Sequence, residues 1–87
     1  MRSAVFCREY DVLRIGMLWY DNSQDPLSIR VERAAEYYLH KYGQAPNCCH
    51  VEANAALVPE SVGGIDIVKS SWVLRNHLWM GVDRAGG

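Results

Sequence analysis

Apolar and polar positions alternate along "DVLRIGMLWYDN", with Leu13, Ile15, Met17 and Trp19 on one side and Val12, Arg14, Gly16, Leu18 and Tyr20 on the other. A repeat of two residues is the mark of an extended strand. The second half of this stretch is apolar on both sides, which suits an interior strand. "AVFCR" before it predicts a shorter partner strand, turning back between Glu9 and Asp11 without the Asn-Gly pattern of a tight hairpin. Met17 also reads as an internal start, which would leave the first sixteen residues as a loosely packed extension.

The period then changes. In "DPLSIRVERAAEYYLHKYG", Leu27, Val31, Ala34, Ala35, Tyr38, Leu39 and Tyr42 recur at spacings of three and four, the pattern of a helix with one apolar stripe. Asp25 is placed to cap its start, Pro26 to occupy the first helical position and Gly43 to end it. Arg30, Glu32, Arg33, Glu36, Tyr37, His40 and Lys41 fall off the stripe and face water. The paired alanines allow a sheet to come close to the helix.

"GQAPN" breaks the chain, and "CCHVE" predicts a short, half-buried strand. "ANAALVPESVGG" is turn-rich and reads as a loop. "IDIVKS" and "NHLWMGV" predict two strands joined by "SWVLR". The expectation is an α+β fold in the order ββαβββ, one helix on one face of a four- to five-stranded mixed sheet. Residues 1–87 form one domain, and the tail 83–87 is frayed. If the strands flanking the helix are parallel neighbours, the crossover between them is right-handed.

Composition narrows the function classes. A chain of 87 residues buries roughly 60 to 65% of the surface its unfolded form exposes, so its core is thin and pairing would add to it. The formal charge is -1 and the basic residues are scattered, which argues against a nucleic-acid partner. No apolar run is long enough for a membrane span or a secretion signal, so the expected location is cytoplasmic. Three cysteines, two of them adjacent, do not form a disulfide framework, and reduced thiols are expected.

The densest chemistry is "NCCHVE". On a strand, Cys48 and His50 point one way while Cys49 and Val51 point the other, so adjacent cysteines cannot both face one metal. A zinc site would have to gather Cys7, Cys48, His50 and His77 from separate strands, without the Cys-x2-Cys pairs usual for such sites. A thiol nucleophile at Cys48 or Cys49 with His50 or His77 lacks a helix N-terminus or basic cluster to lower its pKa. Neither metal nor cofactor is expected. Asp21 and Asp25 read as turn and cap residues, and "SVGGID" precedes a strand and not the helix that phosphate binding would want.

Three tryptophans remain. Trp19 and Trp79 are expected to fill the core against the helix stripe. Trp72, Val73 and Leu74, with Tyr37, are expected to form an apolar patch for a partner or a second copy of the chain. The function expected is therefore a non-enzymatic association module, most simply a homodimer. An enzyme, whether thiol- or zinc-dependent, would need a cleft assembled between subunits.

The element order, the helix ending "KYG", Pro46 just beyond it and the terminal Gly86-Gly87 together resemble the β-grasp layout of ubiquitin-like proteins and bacterial sulfur carriers. That resemblance implies a C-terminal glycine carboxylate that is adenylated and then linked to a thiol or amine, with Gly86 and Gly87 as the reactive tail.

Overall fold

The computed structural model describes residues 16–82. In it the apolar alternation becomes strand β1 (Gly16–Tyr20), and the three-four stripe becomes helix α1 (Leu27–Tyr42). Strands β2 (Cys48–Glu52), β3 (Ser61–Val62), β4 (Ile65–Ser70) and β5 (His77–Gly81) follow. They form one five-stranded mixed sheet in the order β1-β5-β2-β4-β3. The expected α+β class, one helix on a mixed sheet, is the fold found. "AVFCR", Cys7 and the tail 83–87 with Gly86 and Gly87 lie outside the described residues.

The pairing of the strands could not be read from the sequence. The strands flanking the helix are both antiparallel to β5, so they run in the same direction, but β5 lies between them and they are not neighbours. β2 instead pairs in parallel with β4. The loop before Ile65 contains β3, which turns back onto β4 through Gly63 and Gly64, with φ of 56° and 84°. Positive φ at both central residues is the requirement of a two-residue type I′ hairpin, which glycine meets without steric cost.

Helix α1 starts one residue later than the sequence suggests. Pro26 takes the cap position and no side chain caps the helix, because the Asp25 carboxylate accepts a hydrogen bond from Arg33 Nη2 at 2.6 Å instead. At the other end Gly43 adopts the left-handed conformation, and its N–H donates to the Leu39 carbonyl at 2.8 Å. The stripe is covered unevenly: Val31, Ala34 and Tyr38 are buried, Leu27 and Ala35 are partly buried against the core, and Leu39 and Tyr42 are exposed.

The main core lies between helix and sheet. It joins those helix residues to Met17, Cys49, Val51, Leu78, Met80, Val62 and Ile65, with Trp19 packed at its margin. β2 is deeper than expected. Cys48, Cys49 and His50 are wholly enclosed and Val51 nearly so, because β2 has β5 and β4 on its flanks, the helix over one face and Trp72 over the other. Among the described residues no helix is long and apolar enough to cross a membrane.

Candidate functional site

Strand alternation sends every second residue away from the helix. Gly16, Leu18 and Tyr20 of β1, His77 and Trp79 of β5, Cys48 and His50 of β2, and Ser70 of β4 therefore share the other face of the sheet. Trp79 belongs to this face and not to the core against the helix, which corrects the sequence expectation. Its odd position in β5 sets it opposite to Leu78 and Met80, both of which meet the helix side. Trp19 keeps the expected place and packs its ring against Tyr37 at 5.2 Å.

At the centre of this face His50 is buried beneath Trp72. The two rings are 5.0 Å apart, and Trp72 meets Trp79 edge-on at 6.0 Å. His50 Nδ1 and the Ser70 hydroxyl share a hydrogen bond, and Ser70 is itself buried. An imidazole, a hydroxyl and two indoles thus make a second, smaller core on the side the helix does not reach.

Towards the β1 edge the same face is open. Leu18 and Tyr20 are each 58% exposed, Trp72 is 36% exposed, and Leu74 in the adjoining connection is 70% exposed. Tyr20 stacks on His77 at 5.0 Å, and His77 Nδ1–H donates to the Arg75 carbonyl at 2.8 Å. A carbonyl oxygen can only accept, which fixes the proton on that nitrogen. The Gly16, Leu18, Tyr20, His77 and Trp79 half of the face bears no carboxylate, lysine or arginine.

The residues singled out from sequence divide. Trp72 lies on this face, and Leu74 is exposed in the connection that leads into β5. Val73 is buried, its N–H donating to the Ser70 carbonyl at 3.2 Å. Tyr37, exposed on the helix, packs on Trp19 and so belongs to the opposite side of the sheet. The sequence reading missed Leu18 and Tyr20, whose signal was the strand apolar on both sides. That pattern suggested an interior strand, but β1 stands at the end of the described strand order, leaving its outer face open.

Cys48, His50 and His77 do not converge. Cys48 and His50 are both wholly buried, His50 beneath Trp72, while His77 turns towards Tyr20. Among the described residues no three His, Cys, Asp or Glu side chains are grouped as a metal ion would require. Cys49 carries a free thiol, and burial pushes it up to about 12. Cys48 is disulfide-bonded, so the expectation of reduced thiols fails at that position.

A charged cluster lies at the β1–α1 junction. Arg33 Nη1 donates to Asp21 at 2.5 Å while its Nη2 holds Asp25, and the Ser23 N–H donates to Asp21 Oδ1 at 2.9 Å. Burial by itself would raise the Asp21 carboxyl. The Ser23 hydrogen bonds and the Arg33 guanidinium outweigh it and hold the group at about 2. This cluster fastens the helix to the end of β1.

No family model, no curated protein and no solved structure matches this chain.

Proposed function

We propose that the protein is a non-enzymatic association module that pairs with a second copy of itself through the helix-free face of its sheet. The observation carrying this reading is the open half of that face, where Leu18 and Tyr20 stand more than half exposed on the strand that pairs with Trp79, and Trp72 meets that indole. Large apolar side chains grouped on one surface of so small a domain leave it short of buried area, and association supplies that area. A second copy fits because this half of the face carries no formal charge, so a two-fold contact brings no like charges together. Tyr and Trp are also residues in which interface cores are enriched.

Sedimentation or light scattering across a dilution series tests the proposal. The expected result is a dimer that Leu18→Arg converts to a monomer, while Leu39→Arg, on the helix, leaves the dimer intact. A wild-type chain that stays monomeric at the highest concentration reached, or a dimer broken only by Leu39→Arg, would overturn it.

A further inference from the structure

The first turn of α1, the end of β2 with the loop after it, and the end of the β4–β5 connection enclose an open cleft of about 530 Å³. Sites for small molecules usually measure about 300 to 1,000 Å³. Arg30, Arg75, Asn54 and Asn76 supply its polar lining, Glu52 contributes a carboxylate, and Leu27 gives it an apolar wall. These groups come from three separate stretches of chain and meet only in the folded protein.

Their bonding state marks them out. One turn along the helix, Arg33 has both terminal nitrogens engaged by carboxylates. Arg30 is held differently, its Nε–H donating to the Asp25 carbonyl at 3.1 Å. That bond orients the guanidinium and leaves the terminal nitrogens without a protein partner among the described residues. Arg75 is in the same condition, since only its backbone carbonyl is used, by His77. Neither arginine pairs with Glu52. Asn76 sits at φ 63°, and its carbonyl accepts the Asp21 N–H at 2.9 Å, which fixes the loop that carries it. Asparagine tolerates that left-handed conformation better than most residues.

We infer that this cleft binds a small organic carboxylate. The planar guanidinium groups of Arg30 and Arg75 match a carboxylate's two oxygens, the carboxamides of Asn54 and Asn76 complete its hydrogen bonds, and Leu27 meets the apolar body. Two guanidinium groups against one carboxylate leave a single positive charge, which suits a monoanion. A doubly charged phosphate ester would bring its second charge towards Glu52.

The test is titration of the full chain with benzoate, followed by backbone amide chemical shifts, with phenyl phosphate and benzyl alcohol titrated in parallel. Benzoate is expected to give saturable shifts at residues 54, 75 and 76. Arg75→Gln is expected to weaken binding at least tenfold, Arg75→Lys less, and Glu52→Gln to strengthen it several-fold by removing a like charge. Arg75 is an exposed loop residue, so its variants report on binding and not on folding. Equal shifts with benzyl alcohol, unchanged affinity in Arg75→Gln, or saturation by phenyl phosphate but not by benzoate would each overturn the assignment.

Discussion

The indole of Trp79 occupies the space in which a side chain on Gly16 would stand. β1 and β5 pair with Gly16 opposite Gly81 and Leu18 opposite Trp79, so Trp79 reaches diagonally across the ladder onto the glycine. An aromatic ring covering a cross-strand glycine compensates for the side chain the glycine lacks. Gly16→Ala must displace that ring, and overpacking of this kind costs about 1 to 3 kcal/mol. Urea unfolding followed by tryptophan fluorescence measures the loss, and a variant as stable as the parent would show that the indole has another seat.

Trp19 sets up the opposite expectation. Its ring packs on Tyr37 at the margin of the helix-side core, yet its buried Nε1–H has no hydrogen-bond partner among the described residues. A buried donor left unmade costs about 1 to 3 kcal/mol, which offsets part of what the large ring contributes. Trp19→Phe removes that donor and keeps an aromatic ring. It is expected to change stability by less than about 1 kcal/mol, well short of the 3 to 5 typical of truncating a tryptophan to alanine. A loss as large as that of Trp19→Ala in the same denaturation assay would refute it.

The Asp21–Arg33 pair makes stability depend on acid. The Asp21 carboxyl is held at about 2 in the folded chain against an ordinary 3.8, so its stabilising contribution is complete above 3.8 and disappears as pH falls through 2. Arg33 is 42% exposed, so solvent screening keeps the contribution small. Thermal melts between pH 5 and pH 2 should show the wild type losing more than Asp21→Asn does. Parallel curves would mean that the pair adds nothing.

The β3–β4 hairpin depends on its two glycines. At φ of 56° and 84° both occupy the left-handed region, with open space around each where a side chain would go. Conformation and not crowding therefore sets the outcome. Gly63→Asn, which yields the Asn-Gly pair favoured in type I′ turns, should be close to neutral. Gly64→Val should cost about 1 to 2 kcal/mol or more, because a β-branched residue resists positive φ. Chemical denaturation of the two variants side by side checks the contrast.

Periodicity placed the helix, its glycine stop and strands β2, β4 and β5 within a residue or two, and it covered β1, whose expected start lies outside the described residues, because these follow from spacing along the chain. It missed β3, two residues long and too short to show a period. It also missed the true role of Asp25, whose carboxylate is taken by an arginine two turns away. Of the four residues expected at a contact, Trp72 and Leu74 are exposed, Val73 is buried and Tyr37 lies on the other side of the sheet, while the exposure of Leu18 and Tyr20 was not read from the sequence.

Local order along this chain fixes which residues share a side of each strand, for example that Leu18 and Tyr20 point together and that Cys48 and His50 do too. It does not say which side meets the helix, which strands become neighbours, or how deep each one lies. Those were decided by long-range pairing, once β5 inserted between β1 and β2 and the 71–76 connection laid Trp72 over His50. Spacing is a property of one segment, whereas burial depends on what other segments bring to it, so the enclosed histidine, the open aromatic half-face and the arginine cleft exist only in the assembled fold.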